Sequence, residues 1–389
     1  MQVVGLFAGV GGLEVGFARA GHKTVLASEI LPAARAVLAR RLVDTELVGD
    51  VRALRSLPAG TDVVVGGFPC QDLSQAGLTA GLDGERSGLV EEIFRLAAKS
   101  RPRWIVLENV PFMLQLRQGN AMRRIVDSLE ELGYVWAWRV VDTHGFGLPQ
   151  RRERVFLVAS READPADVLL VDDEPWDRAK TAIGRLAHGF YWTEGRGGLG
   201  WAVDAIPTLK NGSAIGIPSP PAILMPDGRV IKPDIRDAER LQGFPENWTL
   251  PAEEVGKASA RWGLVGSAVS VPVAAWLGGR LDKPGQYDRG HDAPFPLTGR
   301  LPKAARFDGR RRHAVQISVD PIALPPPSLA SFLNHEGTML SERATAGFRG
   351  RTKVATLRFA DGFLEAIDLH LDVMSGNATP VQMEEKRVA

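Results

Sequence analysis

The only cysteine of the chain, Cys70, is the residue whose type offers covalent chemistry most directly. It lies in the segment Gly67-Phe68-Pro69-Cys70-Gln71, immediately after a short run of β-branched residues. One cysteine cannot make an internal disulfide or a cysteine-based zinc site, so the thiol is either a small buried hydrophobe or a nucleophile. A lone cysteine beside an apolar strand is more often a core residue, so the neighbouring segments must decide.

Two later segments carry groups that could serve such a nucleophile. Val106-Leu107-Glu108-Asn109-Val110 ends a predicted strand with a carboxylate and an amide, and Gln150-Arg151-Arg152-Glu153-Arg154 places three guanidiniums just before another strand. Taken singly, Glu108 could cap a neighbouring helix and the arginines could be solvated surface charges. Since α/β sheets place their sites at one edge, we expect thiol, acid and arginines to converge there.

A glycine turn follows the first predicted strand, in the segment Leu6-Phe7-Ala8-Gly9-Val10-Gly11-Gly12-Leu13. A turn from a strand into a helix brings a ligand close to backbone N–H groups, although such a turn can equally be purely structural. Glu29 ends the second predicted strand, where a carboxylate can accept the hydroxyls of a ribose. Together they predict an adenosine-containing cofactor. Glu14 stands where the dinucleotide fingerprint needs its third glycine, which disfavours NAD.

The elements that must position these groups alternate in type from Gln2 to about Ala159, as in a Rossmann-like α/β domain with a doubly wound sheet. The predicted strands are Val3 to Phe7, Thr24 to Ser28, Asp62 to Gly66, Trp104 to Glu108, Tyr134 to Asp142 and Arg154 to Ala159. The predicted helices are Leu13 to Ala20, Leu31 to Arg41, Leu89 to Ser100, Asn120 to Leu132, Asp234 to Leu241 and Ser267 to Leu277.

The composition after residue 160 predicts three further segments. Residues 161–230 are rich in Gly, Pro and Ser and mostly irregular, 231–282 regain helical patterning and return to the first domain, and 283–389 form an accessory extension of unassigned role. A net charge of +1 over 389 residues gives no bulk signal for nucleic-acid binding. Without a run of about 18 apolar residues or a signal peptide, we expect a soluble cytoplasmic protein.

The motifs occur in the order and spacing of the bacterial DNA cytosine-5 methyltransferases, which this chain resembles over nearly residues 1–280. The resembling segments are Phe7-Ala8-Gly9-x-Gly11-Gly12, Glu29, Asp50, Gly67-Phe68-Pro69-Cys70-Gln71, Glu108-Asn109-Val110, Gln150-Arg151-Arg152-Glu153-Arg154, Arg240-Leu241-Gln242-Gly243-Phe244-Pro245 and Gly266-Ser267-Ala268-Val269-Ser270-Val271-Pro272. The last segment returns in the family beside the glycine turn. It departs from the usual pattern at Ser267, where the family has an asparagine.

The resemblance implies a mechanism in which Cys70 adds to carbon 6 of cytosine. Glu108 would donate a proton to ring nitrogen 3 if burial keeps it protonated, and Arg152 and Arg154 would hold the base carbonyl or the adjacent phosphate. Because the base must leave the duplex, the loop 71–87 would close over it, with Gln71 and Ser74 contacting DNA. The implied methyl donor is S-adenosylmethionine, held by Phe7, Gly9, Gly11, Gly12, Leu13, Glu29, Asp50, Pro69, Leu89, Ser267 and Val269.

The resemblance further implies double-stranded DNA as the partner, together with a cognate restriction endonuclease or defence-system proteins, and we expect a monomer without a metal site. The insert 161–230 would read the DNA sequence, and its Trp192, Arg196, Trp201, Lys210, Asn211 and Ser213 suit either base and phosphate contacts or loop packing. A transfer-RNA-type cytosine-5 methyltransferase and an inactive DNA-binding relative stay open as alternatives. The insert disfavours the first, and the presence of Cys70 with Glu108 disfavours the second.

Overall fold

The computed structural model describes residues 1–69, 88–195, 198–212 and 218–378. Its strands are β1 (Gln2–Leu6), β2 (Lys23–Ser28), β3 (Glu46–Val48), β4 (Val63–Gly67), β5 (Trp104–Asn109), β6 (Val135–Asp142), β7 (Gln150–Arg151), β8 (Glu153–Ser160), β9 (His188–Phe190), β10 (Trp201–Val203), β11 (Ile206–Pro207), β12 (Ala222–Leu224), β13 (Val230–Lys232), β14 (Asp292–Pro294), β15 (Ala304–Phe307), β16 (Arg312–Val315) and β17 (Thr338–Met339). Its α-helices are α1 (Gly12–Arg19), α2 (Pro32–Arg41), α3 (Leu89–Ser100), α4 (Asn120–Glu131), α5 (Ala166–Leu169), α6 (Ile235–Leu241), α7 (Ala260–Ser267), α8 (Val271–Asp282), α9 (Leu329–Phe332), α10 (Glu342–Thr352) and α11 (Phe363–Met374).

Residue contacts divide the chain into two compact units. The first combines Met1–Asp142, Glu153–Trp176 and Ala268–Ala323, and the second combines Thr143–Arg152, Asp177–Ser267 and the chain from Leu324 onward. The expected extension 283–389 therefore does not form a unit of its own. Its first part supplies β14, β15 and β16 to the sheet of the first unit, and β17, α10 and α11 belong to the second.

The sheet of the first unit is mixed. Among the described residues it has ten strands in the order β14-β16-β15-β6-β8-β5-β4-β1-β2-β3. The five adjacent strands β5, β4, β1, β2 and β3 run parallel to one another, whereas β8 is antiparallel to both β5 and β6. Buried β-branched runs form the parallel part, since strands covered on both faces can be continuously apolar.

The order of the parallel strands fixes where a site can form. β1 lies between β2 and β4, so the chain leaves β1 toward one side of the sheet and later returns on the other. Such a switch point opens a crevice at the carboxyl ends of the two central strands. Leu6 pairs with Gly66 in register, so the glycine turn after β1 and the segment after β4 leave the sheet at neighbouring points.

Helix α8 is fixed against α1 within the first unit. A Cβ at Gly16 would lie 2.3 Å from the Cβ of Ala274, so the glycine permits the two helices to touch. The His22 ring hydrogen-bonds through Nε2 to the Gly278 carbonyl at 3.0 Å. An 18-residue window within Ala260–Asp282, with a mean hydropathy of 1.3, is apolar enough to cross a membrane by composition alone. It is 61% buried, as in the core helices of soluble proteins, and α7 and α8 share it with a break at 268–270.

The second unit contains short strands joined by irregular segments. Its described strands form a five-stranded sheet, β10-β9-β12-β13-β17, and a parallel pair of β11 with β7. An aromatic core holds them, in which the Phe190 ring lies 4.6 Å from that of Phe348 and 5.5 Å from that of Phe363. Residues of α10 and α11, far along the chain, thus stabilise the strand from His188.

Candidate active site

Glu108 and Asn109 end β5 beside the segment that leads to Cys70. Gly67 pairs with Glu108 in register, and a Cβ at Gly67 would lie 3.2 Å from Glu108 Oε2. The Asn109 side chain donates from Nδ2 to the Phe68 carbonyl at 2.9 Å. This amide therefore holds the backbone that precedes the predicted nucleophile, a role that the sequence analysis did not assign.

Cys70 itself lies outside the described residues, as do Gln71 and Ser74, whose DNA contacts we predicted, and Arg196 and Ser213 of the insert. The nucleophile and the closing loop stay predictions. The structure describes Glu108, Arg152 and Arg154.

Arg154 meets Glu108 at the same edge of the sheet. Because β8 runs antiparallel to β5, with Val155 opposite Asn109, the start of β8 lies at the carboxyl end of β5. Arg154 Nε is 3.1 Å from Glu108 Oε1, and both side chains are largely buried. Arg154 also donates from Nη1 to the Glu153 carbonyl at 2.8 Å. The predicted convergence of an acid and an anion-binding arginine is present in this pair.

Arg152, for which we predicted a contact with the base carbonyl or the adjacent phosphate, has a buried guanidinium that binds backbone carbonyls. The residue is 1% exposed, and it donates from Nη1 to the Leu209 carbonyl at 2.9 Å and from Nη2 to the Gly266 carbonyl at 3.2 Å. Gln150 supports the same region, since its Nε2 donates to the Leu241 carbonyl and its Oε1 accepts from the Leu209 N–H. Arg152 thus positions backbone segments within the second unit.

The glycine turn has the backbone that the sequence predicts. Gly9 and Gly11 have φ values of 56° and 87°, the left-handed region that favours glycine. Phe7 also has a positive φ, of 56°, and is half-buried. A Cβ built at Gly9 meets no atom within 4 Å, so the turn is open at this position. A ligand can therefore approach its backbone closely.

Glu29 lies beside that turn. Its Oε2 accepts from the Gly9 N–H at 2.8 Å and its Oε1 from the Leu31 N–H at 2.7 Å. Burial raises the pKa of Glu29, and these backbone hydrogen bonds oppose the increase. Each carboxylate oxygen keeps a further lone pair for a ligand hydroxyl. The residues at the turn therefore fit an adenosine-containing ligand whose ribose faces Glu29.

The segment after α7 packs against the glycine turn as the resemblance implied. A Cβ at Gly12 would lie 2.3 Å from the Val269 carbonyl oxygen, so this glycine permits direct backbone contact. Val269 is 8% exposed. Ser267, where the sequence departs from the family pattern, is exposed and belongs to the second unit.

The other predicted cofactor residues have different environments. Asp50 caps a short 3-10 helix and binds Arg52, whose hydrogen bonds lower the pKa of this carboxyl. Leu89 begins α3 and packs on the core, Leu13 is buried, and Pro69 is exposed. Pro69 directly precedes residues 70–87, and Leu89 follows them after Gly88.

Aromatic residues of the insert take part in packing. The Trp201 ring lies 5.4 Å from that of Phe363, and Trp192 donates from Nε1 to the Pro220 carbonyl at 2.8 Å. Lys210 Nζ lies 3.7 Å from the centre of the Tyr191 ring and 3.3 Å from Glu194 Oε1. Of the two roles considered for Trp201, these contacts favour loop packing.

Comparisons with known proteins agree with this geometry. The profile of the C-5 cytosine-specific DNA methylase family matches residues 1–196. The chain is 44% identical over 384 residues to the type II methyltransferase M2.BsuMI of Bacillus subtilis strain 168, covering 95% of this chain and 97% of the relative. It is 31% identical to the type II methyltransferase M1.ScrFI of Lactococcus lactis subsp. cremoris, covering 70% and 75%.

A solved structure shares the fold at lower identity. The S. pombe Dnmt2 methyltransferase superposes with a TM-score of 0.53 at 15% identity, covering 73% of this chain and 98% of that one. The predicted Rossmann-like methyltransferase fold is confirmed. With the profile spanning half of the sequence and the Bacillus relative nearly all of it, the chain belongs to the C-5 cytosine-specific DNA methylase family.

Proposed function

We propose that the protein transfers a methyl group from S-adenosylmethionine to carbon 5 of a cytosine in a specific DNA sequence, through a covalent adduct with Cys70. One observation carries this proposal: Glu108, paired with Arg154, lies beside the strand end that leads to the only cysteine. The arrangement supplies an acid and a cation at the edge of the sheet from which the chain leads to Cys70.

The chemistry needs these groups because carbon 5 of cytosine is a weak nucleophile. A bond from the Cys70 sulfur to carbon 6 moves the ring electrons toward carbon 5 and nitrogen 3, and Glu108 donates a proton to nitrogen 3. After methylation, loss of the carbon 5 proton lets the sulfur leave as a thiolate, and nitrogen 3 returns its proton to Glu108, which restores the ring. Water is the proposed acceptor of the carbon 5 proton.

Arg154 has two roles in this proposal. A guanidinium beside a carboxyl favours the carboxylate, so Glu108 takes up a proton from solvent, and can pass it to the base, only when Arg154 turns from it to an oxygen of the substrate. The base carbonyl is the oxygen that we assign to Arg154. The acid is thereby activated by the arrival of the flipped base.

The glycine turn and Glu29 would hold S-adenosylmethionine, which supplies the methyl group when bound. Gly9 leaves space for close approach, Glu29 receives the ribose hydroxyls, and Phe7 stacks on the adenine. Asp50 would turn from Arg52 to the exocyclic amine of the adenine.

DNA recognition is assigned to the insert of about 162–229, most of which lies in the second unit. Exchanging this segment for that of a relative should change the methylated sequence, as read by base-resolution bisulfite sequencing. An unchanged sequence would remove the assignment. We further propose a monomeric cytoplasmic enzyme that works with a restriction endonuclease or other defence proteins, in keeping with its similarity to type II methyltransferases.

Covalent trapping tests the mechanism. Duplex DNA with 5-fluorocytosine at the target should form a denaturation-resistant adduct in the presence of S-adenosylmethionine, because fluorine cannot leave as a cation. Cys70→Ala should abolish the adduct while keeping cofactor binding, and Glu108→Gln should slow it. An RNA enzyme would trap only RNA and an inactive relative would trap nothing. An adduct that survived in Cys70→Ala would overturn the mechanism.

A further inference from the structure

Glu14, in the first turn of α1, is a buried carboxyl that the mechanism above does not use. The residue is 1% exposed, and neither Oε1 nor Oε2 has a hydrogen-bond partner within the described part of the chain. A buried ionised carboxylate without a partner costs several kcal/mol. Burial raises the pKa of Glu14 to about 7, the backbone N–H of Glu14 itself opposes part of this increase, and the charge of Glu29 adds to it.

The Glu14 carboxyl fills a space that another residue leaves empty. A Cβ at Gly5, in the middle of β1, would lie 2.0 Å from Glu14 Oε1 and 2.9 Å from its Cδ. A Cβ at Gly11 would lie 4.0 Å from Glu14 Oε2. The carboxyl therefore lies between the central strand and the back of the glycine turn, where a side chain from position 5 would otherwise point.

The main charge near Glu14 is another carboxyl, that of Glu29. β1 has no titratable side chain, and the charged residues of α8, Arg280 and Asp282, lie near its far end. Glu29 acts on Glu14 as a like charge, with its own oxygens bound to the Gly9 and Leu31 N–H groups, and Arg35 of α2 acts on Glu29. The other charged residue of α1, Arg19, lies in its last turn. A cation arriving at the turn would meet a carboxyl that has no cationic partner among the described residues.

We propose that Glu14 is the counter-charge for the positively charged methionine end of S-adenosylmethionine, and that binding of this cation releases the proton of Glu14. The inference rests on the proposed function, since it takes the glycine turn as the cofactor site. A cation above the turn stabilises the ionised form, so by linkage the cofactor binds more tightly as the pH rises through the titration of Glu14. The site is thus assembled from two positions, Gly5 for space and Glu14 for charge.

Titration calorimetry of the full chain with S-adenosylmethionine tests the proposal. Near pH 7, repeated in two buffers of different ionisation enthalpy, the wild type should release a larger fraction of a proton on binding than Glu14→Ala. Between pH 6 and 8 the wild-type affinity should rise about three- to tenfold relative to that variant, as expected for one partly screened charge pair.

A rescue by charge separates this role from simple packing. Gly5→Asp in the Glu14→Ala background places a carboxyl in the same space from the other side, and it should restore proton release and the pH dependence. Gly5→Asn in that background fills the space without a charge and should restore neither. Equal behaviour of the two double variants, or full proton release by Glu14→Ala, would overturn the proposal. Failure of the folded wild type to bind at any pH would instead overturn the cofactor assignment, and this inference with it.

Discussion

The Nε of Arg154 lies 3.1 Å from Oε1 of Glu108, across the antiparallel strands β5 and β8. Glu108 and Arg154 both belong to the proposed catalytic set, and this contact joins them at one edge of the sheet. Since Asn109 fixes the Phe68 carbonyl at that edge, the same strand end holds both the acid and the backbone leading to Cys70.

Replacing Arg154 with alanine should slow methyl transfer about 100-fold, because the carbonyl of the base loses its cation and Glu108 loses the group that gates its proton. Single-turnover transfer of labelled methyl groups to DNA measures the effect. Arg103→Ala is the control, since Arg103 makes an exposed ion pair of the same type with Glu162. Wild-type transfer by Arg154→Ala would contradict the role given to this arginine.

Replacing Arg152 with alanine should act on stability. Two buried carbonyls, of Leu209 and Gly266, would lose their donor, which corresponds to about 2–4 kcal/mol. A lowered midpoint of thermal unfolding, with S-adenosylmethionine binding retained at low temperature, is expected. The neighbouring exposed Arg151→Ala should unfold like the wild type. Unchanged unfolding with lost turnover would instead favour the predicted role of Arg152 at the base.

Two glycines of the turn should respond differently to alanine. Gly12→Ala would force a Cβ to within 2.3 Å of the Val269 carbonyl oxygen. We expect it to lower the free energy of unfolding by about 3 kcal/mol or more and to weaken cofactor binding. A Cβ at Gly9 would meet open space, so Gly9→Ala should lower the free energy of unfolding by only about 1 kcal/mol, because of the positive φ at this position. Thermal unfolding of both variants measures the contrast. Equal losses would show that the segment 268–270 does not constrain the turn.

The stability of the ligand-free protein should depend on pH through Glu14. Burial raises the pKa of Glu14 to about 7 from an ordinary value of 4.5, so the folded state holds its proton more tightly between these pH values. Stability therefore falls as the pH rises through this range and levels off above about 7. Glu14→Gln should unfold like the wild type near pH 5 and gain about 1–3 kcal/mol at pH 8. An equal difference at both pH values would contradict this assignment.

Much of the first unit is predictable from sequence because its strands are short, buried and β-branched. The prediction of a strand from Trp104 to Glu108 is confirmed within one residue, and that of a helix from Leu89 to Ser100 is confirmed throughout. The spacing of their apolar residues along the chain indicates the type of element and the face that is buried. The local spacing of apolar residues was therefore enough to predict where the strands end, and with them the edge of the sheet that carries the candidate site.

Features that depend on distant residues were not predictable in this way. Arg152 and Arg154 are two positions apart in one charged run, yet one donates to backbone carbonyls from residues near 209 and 266 and the other pairs with Glu108. Helical periodicity alone does not show that Glu14 enters the space above Gly5, since that requires the distance between α1 and β1. The place of the strands β14 to β16 in the sheet was not predictable because β15 pairs with β6, far back in the chain, and β16 and β14 follow β15 at the edge.

Because β15 pairs with β6, the sheet can be completed only late in synthesis of the chain. Ala305 pairs with Trp138, and the Trp136 ring stacks on that of Phe307, so strand β6 waits for residues made long after the insert. Until then β6 is an open edge that carries two tryptophans, the kind of surface on which unfinished chains aggregate. A chaperone that shields this edge would raise the yield of native enzyme, and a chain ending at residue 282 would keep the edge exposed permanently.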